Sequence, residues 1–121
     1  MTLRLVSWLL GWLITAMPLL THAHAYLVSS DPPHKANLSA APTRLKLKFS
    51  EPIEVAFIKL VLKRDGQPLN QTPKMIPGPD KRSVVIESVP SDAGNYQLDW
   101  SIVARDGHRT EGHVMFSIKS R

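Results

Sequence analysis

Apolar and polar side chains alternate along three segments of this chain, strictly over residues 44–50 and less regularly over residues 95–104 and 113–119. In the longest of them, the apolar side chains of Tyr96 and Trp100 project to one side and their polar neighbours project to the other. Successive side chains of a β-strand point to opposite faces, so a period of two is typical of strands with one buried face. No segment after residue 25 repeats its apolar residues with the period of a helix. The sequence therefore predicts a fold built from strands.

Shorter apolar runs and turn signals add further strands to this set. Residues 26–29, 54–62 and 83–87 are predicted to be strands because they are rich in β-branched and other apolar residues. An Asp65-Gly66 pair marks a turn after the second of them, and the proline-rich stretch 67–81 is predicted to be a long loop or a ragged sheet edge. Six or more short strands separated by turns are typical of an all-β sandwich or barrel. We predict a single small domain of this class.

The first 23 residues are predicted to be a secretory signal peptide that precedes this domain. Arg4 is followed by an uncharged apolar run over residues 5–20, and Ala23 and Ala25 then supply small residues at the spacing that a signal peptidase reads. Cleavage after Ala23 or after Ala25 leaves one small domain, which we assign to residues 24–121.

The alternative for this segment is an uncleaved membrane anchor. Its apolar run is shorter than the ~20 residues that a helix needs to span a bilayer, and Gly11 and Pro18 interrupt it. Nothing after residue 25 is apolar for long enough to span a membrane. We therefore favour cleavage and expect no membrane span in the mature chain.

Charge and cysteine content exclude several classes of function. The net charge is +5 at pH 7, but the basic residues are scattered singly or in pairs without interleaved aromatic side chains, so nucleic-acid binding is not indicated. The chain has no cysteine, which excludes disulfides, thiol catalysis and thiolate metal sites. A metal ion would have to use nitrogen and oxygen ligands, with a thioether as the remaining option.

Histidine and aspartate supply the candidate ligands. If cleavage falls after Ala23, His24 becomes the first residue, and its α-amine and ring Nδ1 can close a chelate ring on one metal ion. Asp106 and His108 stand two residues apart around Gly107, and glycine eases a turn that lets both side chains face one point. Together these groups offer three nitrogens and one oxygen, a set that suits Cu(II) in tetragonal geometry. The sequence thus predicts a site for one Cu(II) ion.

Each of these residues also has an explanation without a metal. An Asp-Gly pair is common in turns, and an exposed histidine beside it often has no function of its own. His34 follows two prolines and is interpreted as a loop histidine. His113 opens a strand, where it packs against neighbours or supports a metal ligand as an auxiliary residue.

Several short motifs occur in a fixed order from His24 to Lys119. They are His-Ala-Tyr-Leu-Val-Ser-Ser-Asp-Pro from His24, Ala41-Pro42, Leu-Lys-Leu-Lys-Phe-Ser-Glu ending at Glu51, Gly-Asn-Tyr-Gln-Leu-Asp-Trp from Gly94, Asp106-Gly-His108, and Gly-His-Val-Met-Phe from Gly112. In this order they resemble the CopC family of periplasmic copper-resistance proteins, and its short, YobA-like members in particular.

The resemblance implies a Greek-key β-sandwich or barrel, cupredoxin-like or immunoglobulin-like, that binds copper in the periplasm. It implies a Cu(II) site made by the amine and ring of His24 with Asp106 and His108, and it adds Glu51 as a carboxylate near that site. It also favours cleavage after Ala23, because only this cut makes a histidine the first residue.

In one respect the chain departs from that family, many of whose members hold Cu(I) in a methionine-rich segment. Met75 and Met115 are the only methionines after residue 23. The first stands alone in the proline-rich stretch, and the second alternates with the apolar side chains of the last strand. We therefore predict no Cu(I) site.

The predicted function is a periplasmic Cu(II) carrier or buffer without catalytic activity, with a CopD-type inner-membrane copper transporter as its candidate partner. One alternative is an enzyme, since His24 and His108 also resemble the histidine brace of copper-dependent polysaccharide monooxygenases. Tyr96 and Trp100, however, alternate onto the expected core face and provide no aromatic platform for a polysaccharide. The other alternative is a metal-free, immunoglobulin-like interaction module.

Overall fold

The computed structural model describes residues 24–120; the predicted signal peptide, residues 1–23, and residue 121 lie outside the described part. Within it, nine strands and one short 3₁₀ helix follow one another along the chain. The strands are β1 (Leu27–Asp31), β2 (Ala36–Leu38), β3 (Leu45–Phe49), β4 (Lys59–Arg64), β5 (Gln67–Pro68), β6 (Lys74–Pro77), β7 (Ser83–Glu87), β8 (Gly94–Val103) and β9 (Arg109–Ile118), with the 3₁₀ helix over Val55–Phe57. The predicted all-β class is therefore confirmed.

The strands form two sheets. A four-stranded sheet has the order β1-β3-β7-β6, and a five-stranded sheet has the order β2-β9-β8-β4-β5. Neighbouring strands are antiparallel except β2, which runs parallel to β9. Phe49 of the first sheet meets Trp100 of the second with ring centroids 5.1 Å apart. The architecture is thus a β-sandwich in which the inward faces of both sheets share one core.

Most residues of the core are apolar side chains of the alternating segments. Leu45, Leu47 and Phe49 of β3 are buried while the lysines between them are exposed. Along β8, Tyr96 and Trp100 expose only 1% and 7% of their surface. Burial of an apolar side chain of this size stabilises the folded state by about 1.5–3 kcal/mol. This explains why the two alternating segments form the central strands of their sheets.

The predicted strands differ from the structure at some points and agree with it at others. Residues 54–62 are not one strand: Val55–Phe57 forms the 3₁₀ helix, and β4 begins only at Lys59. This segment is apolar but lacks the period of two, and the exposed Phe57 side chain shows that its first half has no face to bury. The stretch 67–81 contains β5 and the edge strand β6, so the ragged-edge interpretation was the right one. Strand β2 was not predicted.

The β8–β9 hairpin positions the candidate site. It is the longest pairing of the structure, with a continuous register from Gly94↔Ile118 to Val103↔Arg109. Its connecting turn, residues 104–108, therefore leaves the sandwich at a fixed place and contains the predicted Asp106 and His108. Within residues 24–120 we find no helix with the length and hydropathy that crossing a lipid bilayer requires.

Candidate metal centre

The fold brings His24, Asp106 and His108 together, although the first two are 82 positions apart in sequence. One ligand atom from each side chain lies within 4.8 Å of those of the other two. The imidazoles of His24 and His108 meet edge to face, with ring centroids 4.8 Å apart and an interplanar angle of 76°. Nδ1 of His108 lies 3.0 Å from Oδ2 of Asp106. Two imidazoles and a carboxylate thus converge on one point.

The turn between β8 and β9 fixes two of these groups. The N–H of Gly107 donates to the carbonyl of Ala104 at 3.0 Å, and the N–H of Ala104 donates to the carbonyl of His108 at 3.1 Å. Gly107 has a φ of 84°, a left-handed conformation that favours glycine. The N–H of His108 donates to Oδ1 of Asp106 at 3.0 Å. The aspartate is therefore held by the turn to which it belongs.

The N-terminal segment is held against this turn by contacts that the sequence analysis missed. Ala25 is 1% exposed and joins the core, and its carbonyl accepts a hydrogen bond of 2.9 Å from the hydroxyl of Thr110. Tyr26 and Ser50 exchange two hydrogen bonds, from Tyr26 N to Ser50 Oγ at 3.0 Å and from Ser50 N to Tyr26 O at 2.9 Å. These anchors keep the preceding His24 beside His108.

The electrostatics of the site favour an ionised carboxylate. Hydrogen bonds from the backbone N–H and the ring of His108 lower the pKa of Asp106, against the opposing effect of burial. The charges of His108 and His24 also lower the pKa of Asp106. Because the side chains of His108 and Asp106 expose 54% and 26% of their surface, a metal ion can reach the carboxylate from solvent. The donor set fits Cu(II), which takes imidazole nitrogen and carboxylate oxygen.

The two auxiliary residues occupy different places. Glu51 lines an open cleft together with Arg82, Arg105 and Asp106, so it lies beside the cluster without being one of its three converging groups. His113 lies on β9, five residues after His108, which corresponds to roughly 16 Å at the rise of an extended strand. Its ring instead meets that of His34, with centroids 5.9 Å apart. The structure does not bring His113 to the cluster.

Comparison with known proteins decides the family. The sequence profile described as the CopC domain matches residues 27–119, nearly all of the described chain. The chain belongs to the CopC family. The protein YobA of Escherichia coli K12 is 34% identical over 102 residues, which cover 80% of each chain. The copper transport protein CutJ of Bacillus subtilis is 29% identical over 106 residues, which cover 84% of this chain but only 19% of CutJ.

A solved structure supports the same assignment. The crystal structure of PcoC, described as a methionine-rich copper resistance protein from Escherichia coli, superimposes with a TM-score of 0.69 at 34% identity. The match covers 80% of this chain and 100% of that one. The protein is thus a member of a family of copper resistance and transport proteins, whose members are copper-binding carriers and not enzymes. The enzyme alternative is set aside on this ground.

Proposed function

We propose that this CopC-family protein holds one Cu(II) ion between His24, Asp106 and His108 in the periplasm. The observation that carries this proposal is the convergence of the three ligand-bearing side chains within 4.8 Å. The ligands come from two chain segments that independent hydrogen bonds hold in place, so little ordering is required when the metal binds. Glu51, at the border of the site, adds a negative charge that favours a divalent cation.

The fourth ligand of the proposed site is the α-amine of His24. Cleavage after Ala23 would convert the peptide nitrogen of His24 into an amine next to an imidazole, and the two would close a chelate ring on copper through Nδ1. Amine, two imidazoles and carboxylate then complete the N,N,N,O set that suits tetragonal Cu(II). The complete four-ligand site would form only after removal of the signal peptide, and hence after export from the cytoplasm.

We infer a role as a carrier or buffer that delivers copper to a membrane transporter of the CopD type. Two observations support it. The imidazole and carboxylate of the site are accessible to solvent, which suits transfer of the ion to another protein. In addition, a sequence similar to this whole domain makes up about a fifth of a longer copper transport protein, CutJ. A free domain and a fused one can serve the same transport step.

The test of the proposed site is a Cu(II) titration of the mature protein and of Asp106→Asn. Asparagine still accepts the N–H of His108 through its side-chain oxygen but lacks the negative charge. We expect the substitution to weaken Cu(II) binding at least about tenfold, since even indirect partners of metal ligands typically contribute 10–100-fold. Isothermal titration in competition with a chelator of known affinity gives the constants.

Asp65→Asn is the matched control for this substitution. Asp65 also precedes a glycine, and its Oδ1 accepts an N–H of Asn95 at 2.9 Å, but it has no histidine two residues on. We expect unchanged Cu(II) affinity for this variant. Equal affinity of Asp106→Asn and the parent protein would contradict the proposed site. A saturating Cu(II) concentration should also raise the melting temperature of the parent protein, because the ion binds only the folded state.

The anchor at Thr110 provides a second prediction. Thr110→Val removes the hydroxyl that binds the carbonyl of Ala25 but keeps the shape of the side chain. We expect a loss of Cu(II) affinity of roughly tenfold, because the segment that carries His24 is then held less firmly. Since the hydroxyl of Thr110 donates to a backbone carbonyl and not to one of the proposed ligands, the Cu(II) electron paramagnetic resonance spectrum at saturation should stay unchanged. A changed spectrum would show that Thr110 acts on the ligand set itself.

A further inference from the structure

A second pair of histidines lies on the outer face of the five-stranded sheet. The rings of His34 and His113 meet with centroids 5.9 Å apart and an interplanar angle of 62°. His34 precedes β2, whereas His113 lies in the middle of β9, so only the fold brings them together. Both side chains are exposed. Neither residue contributes to the cluster around His24.

A thioether lies on the same face. Met115 is two residues beyond His113 on β9, and residues two apart on a strand project to the same side of the sheet. The side chain of Met115 is 41% exposed, so a metal ion can reach its thioether from solvent. Its backbone N–H donates to Nδ1 of His34 at 3.1 Å. Two imidazoles and one thioether therefore share one small area of the surface.

We propose that His34, His113 and Met115 form a separate binding site for Cu(I). A thioether is a soft ligand that selects Cu(I), and imidazole binds copper in either oxidation state. Three ligands of this kind satisfy a monovalent ion that needs no charged donor. This proposal replaces the expectation, drawn from the isolated methionines of the sequence, that the protein has no Cu(I) site.

A carboxylate close to His113 is already engaged, which favours Cu(I) over a harder divalent cation. Asp99 stands opposite His113 in the register of β8 and β9. Its carboxylate binds Nζ of Lys63 at 2.8 Å and Nε2 of Gln97 at 2.7 Å. Either oxygen would have to give up its present contact to bind a metal ion. The nitrogen and sulfur ligands remain, and these are the ones that a soft cation prefers.

The hydrogen bond of His34 indicates which of its two ring nitrogens carries the lone pair that a metal ion would bind. Because Nδ1 accepts the N–H of Met115, this nitrogen carries the lone pair of the neutral ring, and it faces the strand on which His113 lies. Cu(I) at Nδ1 would take the place of one solvent-exposed hydrogen bond. Binding should therefore release the N–H of Met115, a change that nuclear magnetic resonance detects directly because Cu(I) is diamagnetic.

This second site is independent of the proposed Cu(II) site, so either can fail without the other. The test is a Cu(I) titration of the mature protein without oxygen, in competition with bicinchoninate. His34→Ala, His113→Ala and Met115→Leu should each weaken Cu(I) binding at least about tenfold. The three side chains are exposed, so the variants should fold, which circular dichroism verifies. Met75→Leu, which removes the other thioether of the mature chain, is the matched control and should bind as the parent does.

Two readouts decide between this site and the other histidine pair. In the parent protein, Cu(I) should shift the amide resonance of Met115, and it should do so equally in a His24→Ala, His108→Ala double variant. Retention of full Cu(I) affinity by His113→Ala or by Met115→Leu overturns the proposal. Loss of Cu(I) binding in the His24, His108 double variant, with the Met115 amide unmoved in the parent, overturns it as well.

Discussion

A single glycine added before His24 should lower the Cu(II) affinity of the mature protein by roughly 10²–10⁴-fold, the range by which tethering raises the strength of a second binding group. The extension leaves every side chain in place. It converts the α-amine of His24 back into a peptide nitrogen and moves the free amine one residue away, where it can no longer close the same ring with Nδ1. Competition titration with a chelator of known affinity measures the change.

The matched control uses the same extended protein after an aminopeptidase has removed the added glycine. We expect the parent affinity to return, which excludes damage to the fold as the cause of the loss. A glycine added after the C-terminal Arg121 should change nothing. If the N-terminal extension bound Cu(II) as tightly as the parent, the amine would not be a ligand, and a site of side chains alone would remain.

This experiment also links the proposed site to the export of the protein. Before cleavage, His24 offers an imidazole but no amine, so the precursor would bind Cu(II) weakly. Cleavage after Ala25 would remove His24 altogether. The position of one cut would therefore determine both the length of the domain and its metal affinity, and N-terminal sequencing of the mature protein identifies it.

The fold was predictable where burial is one-sided and pairing is regular. The alternation of β3 and β8 reports directly which face is buried, and the structure confirms it. Strand β2 escaped prediction because it has three residues and pairs in parallel with β9, where Ala36 meets Phe116. Three residues are too few to show a periodic pattern, and pairing with a strand that is distant in sequence leaves no local signal.

The candidate site also contains residues that could be predicted from the sequence and contacts that could not. Asp106 and His108 could be proposed from their spacing, and His24 from the signal peptide that is predicted to precede it. The anchors at Thr110 and Ser50 could not, because a hydroxyl that binds a distant carbonyl has no local sequence pattern. The pairing of His34 with His113 was missed for the same reason, since it depends on the position of β2 beside β9.

Replacement of Gly112 by alanine should destabilise the protein by about 2–3 kcal/mol, the upper part of the range for overpacking a core. Gly112 stands opposite Trp100 in the register of β8 and β9. A Cβ atom at this position would collide with Cζ2 of the indole and lie 2.8 Å from its Cε2. The indole cannot withdraw easily, because it packs edge to face on Phe49. For a domain of this size we expect the melting temperature to fall by roughly 10–20 °C.

A double-mutant cycle with Trp100→Phe tests this explanation. The smaller ring leaves room for the new methyl group, and it loses no hydrogen bond, since Nε1 of Trp100 is buried without an acceptor among the described residues. Gly112→Ala should therefore be much less destabilising in the Trp100→Phe background, a coupling that urea unfolding followed by circular dichroism measures. If the effects of the two substitutions on the free energy of unfolding were additive, the glycine would be required for a reason other than contact with the indole.

Gly112 and Trp100 lie on the two strands whose connecting turn carries Asp106 and His108. Gly112→Ala should therefore also weaken Cu(II) binding near the melting temperature of the variant, and the double variant should restore the binding.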